Sequence, residues 1–216
     1  MDSKSQKAKN TGRVQAFSGK WLRFLLADYQ NKEVTVKGYE YVERTTRKGE
    51  FDGITIIGIV KYPNTNRKDK LILIGNYRPP IDKYVIEFPA GLVDSADDCF
   101  TDAVRELKEE TGFVPEKILN IIDSKKIPQV SPIVYSEPSV TNENEKIIIL
   151  QIDGENELNK NTKQELEETE NINVHLVDLD EKLLESISKL AKENDYVIET
   201  KVYTFALGIS LGKVLV

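Results

Sequence analysis

The sequence has very few of the residues that form covalent cross-links or soft metal sites. Its 216 residues include one cysteine, one histidine, one methionine and one tryptophan. A single cysteine excludes a disulfide framework and a cysteine-based zinc site, and it favours a reducing compartment. One histidine excludes metal sites built from several histidines. Any enzymatic chemistry should therefore rest on carboxylates, arginines and lysines.

Long hydrophobic runs and an excess of positive charge are also missing. The net charge is −6, which provides no general field to attract the phosphates of nucleic acids. No apolar run approaches the roughly 18 residues that a membrane span needs, and the polar N-terminus does not look like a secretory signal. We therefore expect a flexible lead-in over residues 1–15 of a cytosolic or nuclear protein, with neither a nucleic acid nor a membrane as partner.

The alternation of short apolar runs with helical patterns predicts the fold class. Strands are predicted at 20–29, 33–44, 53–60, 70–75, 84–88, 147–152 and 172–176, and helices at 98–111, 181–192 and 199–211. Strands and helices are interspersed without a regular βαβ repeat, which favours an α/β/α sandwich around a mixed sheet. The expected organisation is a small N-terminal β element over residues 16–50, followed by a larger domain over residues 51–216.

Residues 91–113 contain the most informative pattern of charged side chains. On a helix with about 100° per residue, Glu106, Glu109 and Glu110 share one stripe, separate from the apolar stripe. Like charges at this spacing destabilise a helix, and a hard divalent cation between them would reverse that effect. The alternative is an ordinary exposed helix with Gly112 as its C-terminal cap.

The spacing within this segment resembles the Nudix box, G-x5-E-x7-R-E-U-x-E-E-x-G-U, where U is a bulky apolar residue. The matching positions are Gly91, Arg105, Glu106, Leu107, Glu109, Glu110, Gly112 and Phe113. Asp97 stands where the pattern has Glu, and its side chain is shorter by one methylene. The resemblance implies a Nudix hydrolase, an enzyme that cleaves a nucleoside diphosphate linked to another moiety.

The resemblance also implies roles for the residues of the box. Glu106, Glu109 and Glu110 would bind Mg²⁺, or Mn²⁺ in its place, with the carbonyl of Ala90 as a further ligand and Glu109 among the catalytic residues. Such metals neutralise the pyrophosphate, activate water and orient the attacking and leaving oxygens. The shorter Asp97 leaves its contact with the metal shell open. The residues expected to support the box structurally are Gly91, Asp97, Arg105 and Gly112.

Segments outside the box resemble eukaryotic ADP-ribose pyrophosphatases, which are also called ADP-sugar diphosphatases. These segments are GKWLRF (19–24), YEYVERTTRKGEFDGITII (39–57), NYRPPIDKYVIEFPAGLVD (76–94), SPIVYSEPSVTN (131–142) and KVYTFALGISL (201–211). The implied reaction is the hydrolysis of ADP-ribose to AMP and ribose 5-phosphate, with other ADP-sugars as further substrates.

The same resemblance assigns substrate contacts outside the box. Arg78 and Arg44 would contact the phosphates, while Trp21 and Tyr39 would stack on the adenine ring. Core packing in an N-terminal strand is the alternative role for Trp21. In this subfamily the two aromatics come from different subunits of a homodimer that exchanges its N-terminal strands, so the expected partner is a second copy of the chain.

The acidic segment 153–171, taken by its charge alone, indicates a solvated surface loop. The resemblance instead implies a loop with a catalytic glutamate, either Glu170 or Glu168, with Glu167 ranking below them. This glutamate would accept a proton from the metal-bound water or hold a further metal.

Two alternative functions stay open at this point. Ser139 stands where the resembled enzymes have a glycine, in a loop that faces the terminal sugar, so the preference among ADP-sugars is open. A Nudix hydrolase of another nucleoside diphosphate derivative is one alternative. The other is a catalytically inactive Nudix protein that only binds nucleotides.

Overall fold

The computed structural model describes residues 7–94, 99–115 and 130–214. Two β-sheets and three α-helices lie within these ranges. None of the helices in the described ranges has both the length and the apolar character needed to cross a lipid bilayer.

The first sheet is a three-stranded antiparallel meander near the N-terminus. Its strands are β1 (Lys9–Ser18), β2 (Leu22–Asn31) and β3 (Val34–Arg44), in that order. β2 and β3 join through a tight turn in which Lys32 has a φ of 54°. Every residue of β1 is exposed, so this sheet presents a large open surface in the single chain.

Strand β1 corrects the expected flexible lead-in over residues 1–15. Lys9 to Gln15 pair with β2, so the strand begins well inside the predicted lead-in. The polar composition of this segment concealed the strand, because an edge strand held by backbone hydrogen bonds needs no buried apolar face.

The second sheet is mixed and forms the centre of the larger domain. Its strands are β4 (Gly53–Lys61), β5 (Lys70–Arg78), β6 (Lys83–Glu87), β7 (Ala90–Leu92), β8 (Val134–Tyr135), β9 (Asn144–Asp153), β10 (Ile172–Asp178) and β11 (Val197–Ile198). The order is β11-β6-β5-β4-β9-β8, with β10 paired to β5 and β7 paired to β4. The β4–β9 and β6–β11 pairs are parallel, whereas the other pairs are antiparallel.

Helices cover both faces of this sheet. Helix α1 (Cys99–Thr111) packs through Leu107 into one buried cluster, which includes Ile72 of β5. Helices α2 (Leu183–Asn194) and α3 (Thr200–Val214) pack into a second cluster with Leu71 and Leu73 of the same strand. Because successive residues of a strand point to opposite faces, the two clusters lie on opposite sides of the sheet. The predicted α/β/α sandwich is confirmed.

Buried polar contacts join the first sheet to the larger domain. Glu43 of β3 is only 5% exposed, pairs with Arg23 and accepts a hydrogen bond from Asn142 Nδ2 at 2.8 Å. Arg47 donates to Asp52 Oδ1 at 2.9 Å and to the carbonyl of Asn142 at 2.7 Å. The loop that precedes β9 is therefore the surface on which the first sheet rests.

Candidate active site

Strand β7 and helix α1 are joined by a hydrogen bond that fixes part of the carboxylate stripe. The backbone N–H of Ala90 donates to Glu110 Oε2 at 3.0 Å. Ala90 itself pairs with Thr55 of β4, which is an inner strand of the second sheet. The sheet therefore holds the backbone against which α1 places its carboxylates.

Gly91 allows a second carboxylate to lie against the same strand. A Cβ atom at this position would lie 2.0 Å from Cδ of Glu106 and 2.1 Å from its Oε1. An added Cβ would therefore have to displace the end of the Glu106 side chain. The first glycine of the box thus makes room for the first carboxylate of the helix.

Of the three carboxylates on α1, Glu110 is buried and Glu106 is largely shielded from solvent. Glu110 is 3% exposed, and burial raises its pKa to about 9. The side chain of Glu106 is 13% exposed, and burial raises its pKa to about 7. The alternative of an ordinary exposed helix is therefore wrong. Ionising these two groups costs free energy unless a positive charge lies close to them.

Arg105 supplies part of that positive charge. Its guanidinium lies 2.9 Å from Glu106 and 2.8 Å from Glu109, and a longer contact of 3.4 Å reaches the carbonyl of Leu92. Burial disfavours the charged guanidinium, but the two carboxylates outweigh this effect and raise the pKa of Arg105. The structure therefore places Arg105 as a bridge between the two glutamates.

The acidic loop brings Glu170 close to the same carboxylates. The negative charge of Glu170 contributes to the raised pKa of both Glu106 and Glu110. Glu170 is half-buried, whereas Glu168 and Glu167 are exposed. Of the three loop glutamates considered from the sequence, Glu170 is the one that stands among the main causes of the raised pKa of Glu106 and Glu110.

Arg78, the last residue of β5, interacts electrostatically with Glu110 of the box. It donates from Nε and Nη2 to the carboxylate of Glu87, at 2.9 and 2.6 Å. Glu87 is 8% exposed, so it holds the guanidinium from a buried position. The hydrogen bond with Glu87 raises the pKa of Arg78, and Glu110 adds to the effect. Glu87 was not singled out from the sequence, although a charged residue in the apolar run Y-V-I-E-F was a usable signal.

Two of the residues considered for adenine and phosphate contacts, Tyr39 and Arg44, lie in β3 of the first sheet. The Tyr39 hydroxyl donates to the carbonyl of Ser139 at 2.6 Å, and Arg44 Nε donates to Glu143 Oε1 at 2.6 Å. A cavity of about 370 Å³ lies beside Tyr39, and its wall includes Tyr29 and Pro138. The turn with Ser139 therefore contacts the first sheet directly.

Trp21 lies far from Tyr39 within one chain. The carbonyl of Trp21 accepts a hydrogen bond from the N–H of Thr45, while Tyr39 pairs with Ala27. Thr45 follows Tyr39 by six residues, so the backbones at Trp21 and Tyr39 are about 20 Å apart at roughly 3.3 Å per residue. Trp21 is 53% exposed, so core packing is not its role in the single chain. By this estimate the backbones of the two residues are far apart in one chain.

A second buried polar cluster lies behind β7 and was missed by the sequence analysis. Lys201 Nζ lies 3.0 Å from the Thr55 hydroxyl, 3.1 Å from Glu145 Oε1 and 3.2 Å from Glu199 Oε1. Thr55 is the strand partner of Ala90, so this cluster supports the strand from the opposite side. The signal was a polar residue inside each of the runs G-I-T-I-I and N-E-K-I-I-I-L.

The box carboxylates have the chemistry of a site for a hard divalent cation. Oxygen ligands suit such ions, and a cation would offset the desolvation that raises the pKa of Glu106 and Glu110. Across residues 7–94, 99–115 and 130–214, no three ligating side chains already surround one point. Glu106 and Glu109 are instead paired with Arg105, so binding a cation requires these side chains to turn away from it.

Comparison with known protein families decides the family of this chain. The family model of the NUDIX domain matches residues 57–199. The chain belongs to the Nudix family. Asp97, which stands at the one box position that departs from the pattern, lies outside the described part of the structure.

Similar proteins cover most of the chain. An uncharacterised Nudix hydrolase of Schizosaccharomyces pombe is 33% identical over 213 residues, 97% of each protein. An ADP-ribose pyrophosphatase of Saccharomyces cerevisiae is 33% identical over 195 residues, 90% of this chain and 79% of that protein. An ADP-sugar pyrophosphatase of Mus musculus is 28% identical over 192 residues, 88% and 82% of the two proteins.

A solved structure supports the fold. The crystal structure of an ADP compounds hydrolase covers 95% of this chain and 95% of its own, with a TM-score of 0.59 and 17% sequence identity. At this identity the likeness concerns the fold alone, and it agrees with the Nudix α/β/α architecture.

The buried carboxylates predict how the stability of the metal-free protein depends on pH. The folded pKa of Glu110 lies above its ordinary value, so its stabilising contribution is complete at acidic pH and is lost as the pH rises toward about 9. Glu110→Gln keeps a neutral oxygen for the N–H of Ala90. Its stability relative to the parent protein should therefore grow by roughly 1–3 kcal/mol between about pH 6 and about pH 8. Urea denaturation in the presence of a chelator measures this difference.

The matched control for that experiment is Glu185→Gln, because Glu185 lies on the exposed side of α2. Its stability relative to the parent protein should not change over the same pH range. If the difference for Glu110→Gln also stays constant, the pKa of Glu110 is not raised.

The steric role of Gly91 can be tested with a pair of glycine substitutions. Gly91→Ala forces Glu106 out of its position, and overpacking of this kind costs roughly 1–3 kcal/mol in the free energy of unfolding. Gly12→Ala is the control, because no atom lies within 4 Å of the added Cβ. Equal stability of the two variants in urea denaturation would show that the Glu106 side chain can move aside without cost, so that this position does not require glycine.

Proposed function

We propose that the protein hydrolyses the pyrophosphate bond of ADP-ribose to give AMP and ribose 5-phosphate, and that it also accepts other ADP-sugars. The observation that carries this proposal is the set of box carboxylates held against Ala90, in a chain 33% identical over 195 residues to an ADP-ribose pyrophosphatase. The similarity to an ADP-sugar pyrophosphatase supports the wider range of substrates.

The proposed cofactor is Mg²⁺, with Mn²⁺ able to replace it. Glu106, Glu109, Glu110 and the carbonyl of Ala90 would hold it. When bound, such an ion neutralises the charge of the pyrophosphate and lowers the pKa of a coordinated water. The raised pKa of Glu106 and Glu110 supports this assignment, because a bound cation removes the cost of ionising them.

The proposed proton acceptor is Glu170, in preference to Glu168 and Glu167. The oxygen of the attacking water forms a bond to one phosphorus, and the bridging P–O bond breaks with its electron pair staying on the leaving phosphate. The water proton passes to the Glu170 carboxylate. The negative charge of Glu170 raises the pKa of Glu106 and Glu110, and this interaction supports the choice.

The proposed phosphate contacts are Arg78 and Arg44. Within the described residues Arg78 bonds to Glu87 through Nε and Nη2, which leaves Nη1 for a phosphate oxygen. The electrostatic interaction between Arg78 and Glu110 supports a position of this guanidinium near the Nudix box. Arg44 is held by Glu143 through Nε, and its Nη atoms would bind the phosphate oxygens.

The adenine site would be completed by a second copy of the chain. The backbones of Trp21 and Tyr39 are about 20 Å apart in one chain by their pairing partners, which favours aromatics from different subunits on the two sides of one base. The first sheet also exposes large apolar side chains. These are Val14, Phe17, Trp21, Leu22 and Val34, which are 46–67% exposed. We therefore propose a homodimer with exchanged N-terminal strands.

The two alternative functions make different demands on the site. An inactive nucleotide-binding Nudix protein does not need the box carboxylates, whereas this chain has Glu106, Glu109 and Glu110 together. A hydrolase of another nucleoside diphosphate derivative would use the same carboxylates. Ser139 is bonded to Tyr39 and Glu137, so the turn that contains it has a defined structure. This turn could favour a different group beyond the diphosphate, and the second alternative is therefore tested as well.

An activity assay tests the proposed reaction. Purified protein incubated with ADP-ribose and Mg²⁺ should release AMP and ribose 5-phosphate, resolved by ion-exchange chromatography. Glu170→Gln should lower kcat by roughly 10²–10⁴ because it removes the proton acceptor. Glu109→Gln should also abolish most turnover, whereas Glu168→Gln should stay close to the parent enzyme.

The outcomes of this assay separate the alternatives. Binding of ADP-ribose without turnover would support the inactive nucleotide binder. Turnover of another nucleoside diphosphate derivative, but not of ADP-ribose, would support the other hydrolase. A loss of kcat in Glu168→Gln with normal turnover in Glu170→Gln would move the proton acceptor to Glu168.

The proposed dimer can be tested through Phe17, which is 67% exposed in the single chain. Phe17→Glu places a charge in the proposed apolar interface, so it should give a monomer in analytical ultracentrifugation and raise KM for ADP-ribose. Leu158→Glu is the control, because Leu158 is 65% exposed but lies outside the first sheet. A parent protein that is monomeric and fully active would contradict the shared adenine site.

A further inference from the structure

One side chain, Gln164, ties the acidic loop to the end of helix α1. Its Nε2 donates to the carbonyl oxygen of Glu110 at 2.7 Å and to the carbonyl oxygen of Ile172 at 3.1 Å. Glu110 lies in the last turn of the helix, where carbonyl groups have no partner within the helix. Both N–H bonds of the Gln164 amide are therefore used on backbone atoms.

These two bonds close a short loop on the box helix. Gln164 and Ile172 are eight residues apart, and Ile172 is the first residue of β10. The N–H of Glu165 donates to the carbonyl of Glu109 at 2.8 Å, so the backbone next to Gln164 is held on the same helix end. The residues that bear the loop carboxylates lie between these two fixed ends.

Gly112 provides the space in which the loop rests. It has a φ of 74°, and a Cβ atom here would lie 2.5 Å from the backbone N of Lys163 and 2.8 Å from its carbonyl oxygen. Both the backbone conformation and the close approach require glycine. The second glycine of the box therefore lets the loop pack directly on the end of α1.

Within the closed loop a small turn orients Glu170. The N–H of Glu170 donates to the carbonyl of Glu167 at 3.1 Å, and the N–H of Glu167 donates to Glu170 Oε2 at 2.8 Å. The turn is short and local, so its position relative to α1 depends on how the two ends of the loop are fixed.

We propose that Gln164 is a positioning residue, which holds the loop on the box helix so that Glu170 stays in place beside Glu106 and Glu110. The inference rests on the proposed function, because the role of Glu170 as proton acceptor belongs to it. The Gln164 amide bonds to the backbone of Glu110 and Ile172, and neither of these residues is assigned to substrate binding through its backbone. Its loss should therefore affect the chemical step and leave substrate binding nearly unchanged.

The test compares Gln164→Met with the parent enzyme. Methionine keeps the length of the side chain but has no N–H to donate, so the loop loses both bonds. We expect kcat for ADP-ribose with Mg²⁺ to fall roughly 10–100-fold, as misplacement of a catalytic group by about 1 Å can do. KM should change by less than about threefold, because uniform substrate binding is retained. Gln164→Ala is the second variant, in case the methionine packs poorly.

A double-mutant cycle separates positioning from a general structural role. In the Glu170→Gln background, Gln164→Met should cause little further loss of kcat, because the group that it positions is already gone. Losses that multiply in the double variant would overturn the proposal. Thr162→Ala is the matched control, since its exposed side chain lies in the same loop. Its kcat should equal that of the parent enzyme.

Hydrogen exchange tests the same proposal without any turnover. The amides of residues 165–171 should exchange at least about tenfold faster in Gln164→Met than in the parent protein, and no faster in Thr162→Ala. Unchanged exchange would overturn the proposal even if the parent enzyme hydrolyses ADP-ribose. If the parent protein is inactive but exchange is faster in Gln164→Met, the proposed function is contradicted. The role of Gln164 in holding the loop on the helix is then still supported.

Discussion

The site depends on the burial of the Glu106 and Glu110 carboxylates against strand β7. The N–H of Ala90 bonds to one of them, and the missing side chain of Gly91 makes room for the other. Burial raises the pKa of both groups, because water cannot stabilise their ionised forms at this place. Positive charge from Arg105, or from a bound cation, is the natural counterpart, and this requirement organises the surrounding contacts.

Parts of the chain that are far apart in sequence meet around these carboxylates. Arg78 comes from β5 and is held by the buried Glu87. Gln164 joins the acidic loop to the end of α1. Behind β7, Lys201 of α3 joins charged residues to the strand partner of Ala90. Each group that could bind a phosphate or move a proton is thus held by another polar residue, which favours a preorganised site.

Much of the fold and of the box was predictable from the sequence. Helix and strand positions agree closely for α1 and for the longer strands of the second sheet, because apolar runs and helical periodicity report local burial. The short strands β7, β8 and β11 were not predicted. Strand β1 was missed, since its polar residues are held only by backbone pairing. The roles of Glu87 and Gln164 were missed as well, because their partners are set by tertiary contacts rather than by spacing along the chain.

By itself, the sequence determined the α/β/α class, the Nudix family pattern and the helix that carries three carboxylates. These features depend on periodicity and spacing within short segments, which local conformation preserves. Only the tertiary structure decided that Glu110 is buried, that Glu170 rather than Glu168 acts on it, and that Trp21 and Tyr39 lie far apart in one chain. Burial, charge coupling and distance depend on which distant segments come together, and no single segment encodes that.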